Sequence, residues 1–256
     1  MTKVIDILQV LQEFSPLPLA MAGDNNGLLA GHSNASVERV LVALDASMAV
    51  IDEAVSRGAQ LIVAHHPVNR GLWTVTDIAG YDERRMLALL ENKIACISMH
   101  TNLDAAQGGI NDILAELCGL HCVSILDAAT QLGRVGHVDG SLTVREYAGK
   151  ISDTLGCNAL RFCDGGKPVC KVAVGSGNSA DCYSIVVAKG CDTFVTGDIK
   201  YHLWLEALES GINLIDAGHY ETEAIACNKL QDIISQRFGG LDVRVSQAMR
   251  LPYEVL

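Results

Sequence analysis

The 256-residue chain has nine cysteines, yet no two of them form a Cys-x-x-Cys pair. Cys118 and Cys122, the closest, are four positions apart, which argues against a zinc knuckle or a disulfide framework. Most cysteines sit in apolar runs such as Ala-Cys96-Ile, where a free thiol behaves as a small hydrophobe and a reducing compartment suits it. No stretch approaches 18 consecutive apolar residues, so nothing reads as a membrane span. Basic residues are scarce: 19 Lys and Arg against 30 Asp and Glu give a formal charge of −11. That balance argues against sequence-independent nucleic-acid binding, which depends on neutralising phosphates. The Gly175-Ser-Gly-Asn178 loop lacks the Gly-Lys-Ser/Thr ending of a Walker loop and reads as a tight turn. Asp6 and Gln9 interrupt the apolar pattern at the start, so it reads as an amphipathic helix and not a signal peptide. The expected location is the cytoplasm.

What is present describes a globular protein, with 49% hydrophobic and 19% charged residues. The informative stretch is Leu61-Ile-Val-Ala-His-His-Pro67, where four apolar residues run into two histidines and a proline closes the run. A short unbroken apolar run bounded by turn signals reads as a buried parallel strand. Pro67 cannot donate to a ladder, so this strand should stop at the histidines. Similar strands are expected at Val40–Leu44, Ile94–Met99, Lys171–Val174, Thr193–Thr196 and Asn213–Asp216. Ser47 reads as the N-cap of a helix to Arg57, with Gly58 as its stop. Further helices are expected over 3–14, Tyr81–Asn92, Asn111–Leu117, Val144–Leu155 and Leu203–Glu209, and from the Gly-His219 turn to Arg237. Asp164-Gly-Gly-Lys-Pro168 reads as a hairpin-type turn. Strands alternating with helices predict α/β architecture with a largely parallel sheet.

The second half echoes the first. Ala54-Val-Ser-Arg-Gly58 leading to Val63-Ala-His65 parallels Val186-Val-Ala-Lys-Gly190 leading to Val195-Thr-Gly197. The next strand ends in His100 with Asp104 four residues on, and its counterpart in His219 with Glu223 four residues on. The pattern predicts a duplicated α/β unit, divided as 1–126 and 127–256, with a short α+β insertion near 127–168. Four histidines (His65, His66, His100, His219) and two carboxylates (Asp104, Glu223) thus fall just past strand ends, where open α/β sheets place ligands. Imidazole with carboxylate suits Zn, Mn, Fe or Co. Six donors exceed what one tetrahedral zinc needs, whereas two ions sharing a carboxylate would use them.

Asp24-Asn-Asn-Gly-Leu28, Leu61-Ile-Val-Ala-His-His-Pro67, His100-Thr-Asn-Leu-Asp104, Thr196-Gly-Asp-Ile-Lys-Tyr-His202 and Asp216-Ala-Gly-His-Tyr-Glu-Thr-Glu223 together resemble the YbgI-type, Nif-three-like dinuclear metal-centre family. Its members are often named GTP cyclohydrolase 1 type 2, and the likeness runs over essentially the whole chain. The resemblance implies two similar three-layer α/β/α halves with mixed, largely parallel sheets, and a toroidal homohexamer. It implies two divalent ions per subunit: His66 and Asp104 on one, His65 and His219 on the other, Glu223 bridging. His100 would position Asp104 or shuttle a proton, and Lys200 and His202 would hold an anionic substrate group. The implied activity is hydrolysis by a metal-activated water, with GTP ring opening suggested by the family name. A phosphoesterase or amidohydrolase fits the same residues, and a non-catalytic ring-shaped scaffold or adaptor is the alternative. One departure stands out: Met21-Ala-Gly23 replaces the acidic residue and tryptophan that usually precede Asp-Asn, which leaves the role of the Asp24 loop open.

Overall fold

A computed structural model describes residues 1–69 and 80–255. In chain order the first elements are α1 (Val4–Phe14), β1 (Gly27–Ala30), β2 (Arg39–Ala43), α2 (Met48–Arg57), β3 (Leu61–Ala64), α3 (Tyr81–Glu91), β4 (Ala95–Ser98) and α4 (Thr101–Ala105). There follow α5 (Ile110–Leu117), β5 (His121–Ile125), β6 (Arg134–Leu142), α6 (Val144–Leu155), β7 (Arg161–Cys163), β8 (Val169–Val174), α7 (Tyr183–Ala188) and β9 (Thr193–Thr196). The last are α8 (Tyr201–Ser210), β10 (Asn213–Asp216), α9 (His219–Glu223), α10 (Ile225–Arg237) and β11 (Asp242–Val245). Two compact units result, one of Met1–Ala106 with Ala226–Pro252, the other of Gln107–Ile225 with Tyr253–Leu256.

The first unit is built on a sheet of order β1-β4-β3-β2-β11, with β4, β3, β2 and β11 parallel and β1 antiparallel to β4. Leu41, Ala43, Ile62, Ala64 and Cys96 face a core made with Val50, Ile51 and Ala54 of α2 and Met86 and Leu89 of α3. Alternation sends Val40, Val42, Leu61, Val63 and Ile97 to the other face, and they are buried as well. Burial on both faces is why these strands are unbroken apolar runs. α2 is delimited as its sequence dictates. Ser47 Oγ accepts from Val50 N at 3.4 Å, and Gly58 takes φ +61° while its N–H bonds the Ala54 and Val55 carbonyls.

The second unit has the order β5-β6-β8-β9-β10-β7. Val172, Val174, Val195 and Ile215 pack with Leu114 of α5 and Val144, Tyr147 and Ile151 of α6. The alternate residues Ala173, Phe194 and Leu214 pack with Tyr183 and Val186 of α7 and Leu203 and Ala207 of α8. The result is a three-layer arrangement. Each unit contains the same connectivity: β1-β4-β3-β2 in one is matched by β7-β10-β9-β8 in the other, three parallel strands and a leading antiparallel edge strand. This shared topology supports the echo seen in the sequence.

Some local expectations are corrected. β5 was not anticipated, because its residues are mostly exposed and carry no apolar alternation. The Asp164–Pro168 turn joins β7 to β8, which do not pair; β7 lies against β10 and β8 against β6 and β9. The helix expected after Gly218 is two helices, α9 and α10. α10 and β11 belong to the first unit, with Val243 in parallel register opposite Val40. All nine cysteines are free, with Cys96, Cys118, Cys191 and Cys227 buried but Cys122 and Cys170 exposed. Among the described residues no helix is long and apolar enough to cross a membrane.

Candidate metal centre

In the first unit β3 stops at Ala64, and His65 and His66 follow at once. His65 is fully buried, and its Nδ1 lies 2.8 Å from the Met99 carbonyl oxygen just past β4. A carbonyl can only accept, so Nδ1 carries a proton and donates it. The ring's Nε2 is 3.8 Å from Oδ2 of Asp104, itself buried in the one-turn helix α4. His66 is held through Nδ1 by Asp45 Oδ1 at 2.8 Å, Asp45 standing two residues past the end of the neighbouring strand β2. His100, at the N-cap of α4, is held through Nδ1 by Asp24 Oδ1 at 2.7 Å. The His100 backbone N–H donates to Asn26 Oδ1 at 2.7 Å, and Asn26 donates to Asp24 Oδ2 at 2.7 Å. The Thr101 hydroxyl donates to Asp24 as well.

The three imidazoles stand together, with ring centroids 5.0 Å (His65–His66), 5.1 Å (His65–His100) and 5.6 Å (His66–His100) apart. One ring nitrogen from each lies within 4.8 Å of the other two. Burial alone would raise the Asp24 carboxyl pKa, but the bonds from His100, Thr101 and Asn26 hold it far below the ordinary carboxylate range. Asp45 is lowered in the same way, burial being outweighed by its bond to His66.

The second unit places fewer groups. Asp198 follows β9 with φ +53°, and His219 opens α9, which Glu223 closes. His219 Nδ1 is 2.7 Å from Asp198 Oδ2, and its Nε2 is 2.9 Å from Glu223 Oε2. Burial would lower the His219 pKa, yet the Glu223 and Asp198 carboxylates raise it to about 9. The Gly175–Asn178 loop is a turn, as expected, but it has a second task. Gly177 N donates to Thr222 Oγ1 at 2.9 Å, and a Cβ at Gly177 would fall 1.9 Å from Glu223 Oε1 and 3.1 Å from His219 Nε2. Lys200 and His202 lie exposed at the start of α8.

Of the residues singled out in the sequence, the structure gathers His65, His66, His100 and Asp104 in the first unit and pairs His219 with Glu223 in the second. Sequence reasoning gave no role to Asp45 or Asp198 and left Asp24 open. A usable signal existed for two of them: in each unit a carboxylate past one parallel strand tethers the imidazole past the next strand, 21 residues on. The donor set of imidazole nitrogens and carboxylate oxygens, without thiolate, fits Zn, Mn, Fe or Co. The tethers fit it too, since ligating histidines commonly give their other ring N–H to a carboxylate or carbonyl.

Known proteins resemble this chain along its whole length. Residues 2–252 match the family model described as Duf34/NIF3 (NGG1p interacting factor 3). A Clostridium acetobutylicum protein named GTP cyclohydrolase 1 type 2 homolog is 31% identical over 266 residues, covering 98% of each chain. Among solved structures, reduced HcgD from Methanocaldococcus jannaschii has a TM-score of 0.85 at 30% identity, over 96% of this chain and 98% of that one. A Bacillus cereus protein related to NIF3 superposes over the full length of both chains with a TM-score of 0.91; at 22% identity that likeness speaks to the fold.

Proposed function

Since the chain belongs to the Duf34/NIF3 family, we propose that it is a metal-dependent hydrolase binding two divalent cations through His65, His66, Asp104, His219 and Glu223, with Glu223 shared between them. The observation that carries this reading is the common tether. His65, His66 and His219 each have Nδ1 fixed by a carbonyl or carboxylate, so that Nε2 is the nitrogen offered to a ligand partner. Ion pairs of this kind supply Lewis acidity and make water a nucleophile near neutral pH. The protein's own contribution is positional. The Met99 carbonyl fixes the ring of His65 through Nδ1, Asp45 and Asp198 orient His66 and His219, and the Gly177 backbone leaves room for Glu223.

GTP is the substrate to assay first, because the Clostridium acetobutylicum relative carries the name GTP cyclohydrolase 1 type 2 homolog. Assembly as a homohexamer belongs to the same proposal and rests on family resemblance, as do the roles of Lys200 and His202 toward an anionic substrate. The test is turnover of GTP and of generic phosphodiesters with added Mn or Zn. We expect activity in the wild type and its loss in Glu223→Ala. Normal turnover by a metal-loaded Glu223→Ala variant would remove the shared carboxylate from the account.

A further inference from the structure

β5 is an edge strand of the second sheet, and its pairing with β6 gathers ligand-type side chains outside the candidate metal centre. His121 lies directly opposite His137, and opposite residues on neighbouring strands point to the same face. Their ring centroids are 6.1 Å apart. Asp139, two residues along β6 from His137, joins them, with its Oδ1 3.8 Å from His121 Nδ1. The backbone beneath is shaped to match. Three steps along β5, from His121 to Ser124, are set against two along β6, from His137 to Val135. The extra residue makes a bulge, where Cys122 takes φ +51°, a conformation uncommon outside glycine. Bulges re-aim side chains and recur beside functional sites. Gly136 permits the close approach, because a Cβ there would fall 2.7 Å from the His121 carbonyl oxygen. Lys171, opposite His137 on β8, has its ammonium committed elsewhere, donating to the Lys189 carbonyl at 2.6 Å.

We propose that His121, His137 and Asp139 bind a divalent transition cation, nickel or zinc, at the open edge of the second sheet. The site shares no residue with the five ligands proposed above and stands whether or not they hold metal. Two imidazoles and a carboxylate suit such an ion, with water completing its shell. All three side chains are exposed, so they can close round an ion by rotamer changes that leave the core untouched. The bound ion ties β5 to β6 beside the bulge, where the ladder between the two strands is interrupted. The same donors hold cobalt less tightly than nickel, so three exposed side chains should lose cobalt on dialysis.

The test uses the full chain and Ni(II) alone as probe, with bound nickel counted by elemental analysis after equilibrium dialysis against micromolar nickel. Wild type should hold one ion more per chain than a His121→Ala/His137→Ala variant, and Asp139→Asn should hold that ion more weakly. A His121→Gln/His137→Gln variant takes its place if the alanine variant loses the wild-type circular dichroism. Equal counts in wild type and the folded double variant, at whatever level, overturn the proposal. The totals keep it apart from the dinuclear reading. Three ions against two support both sites, and one against none supports the edge site while removing the dinuclear centre. Two against two does the reverse.

Discussion

The two units carry the same strand connectivity but prepare their imidazoles differently. In the first, His65 is sealed from solvent with its Nδ1 against a carbonyl, and His100 is locked by a carboxylate that is nearly buried. In the second, His219 is one-third exposed and lies between two carboxylates, Asp198 and Glu223, which raise its pKa to about 9. The first arrangement fixes each ring through its Nδ1 contact. In the second, the two carboxylates favour the protonated ring of His219, so a cation bound at that ring would compete with a proton. The same strand connectivity thus carries two differently built sets of loops beyond its strand ends.

The sharpest way to break this contrast is at Gly177, where any side chain meets Glu223 and where φ is +54°. Gly177→Ala should weaken the cation binding that depends on His219 and Glu223. It should also cost about 1–3 kcal/mol in stability from backbone strain, measured by thermal denaturation alongside cobalt stoichiometry. Next in size is the tether of the first unit. Asp45→Asn should weaken cation binding through His66 about 10–100-fold, read by competition with a chromophoric chelator; an unchanged affinity would show that this tether is irrelevant to metal.

A smaller effect separates the units by pH. Since His219 must shed its proton to bind, affinity for the cation it holds should rise about tenfold per pH unit from neutrality to about pH 9 and then level off, while a His219→Ala variant shows no such slope. The sign for stability without metal is opposite. The folded pKa lies above the ordinary 6.5, so the stabilisation is complete below pH 6.5 and is lost as pH rises through about 9. Smallest of all should be Asp198→Asn, a few-fold loss at most, because this exposed tether is backed by the His219–Glu223 contact.

Much of this was legible in the chain. The apolar run into His65-His66-Pro67 announced a strand and its end, and Ser47 with Gly58 bounded α2 without help from tertiary structure. α6 carried its own start in Thr143 and Glu146. What escaped was whatever depends on neighbours distant in sequence. The partner of His65 is a backbone carbonyl, which no residue type reveals, and Asp24 reaches His100 across 76 positions. Gly177 looked like an ordinary turn residue because its role lies in the atom it lacks. β5 was silent because an exposed edge strand needs no apolar alternation, and the return of β11 to the first sheet is a matter of strand order, which local pattern does not encode.

The central claim is that side chains mounted on these strand ends hold a pair of cations, and counting cobalt per chain in the reconstituted wild-type protein tests it most directly. The account predicts two. A folded protein that retains none would contradict it.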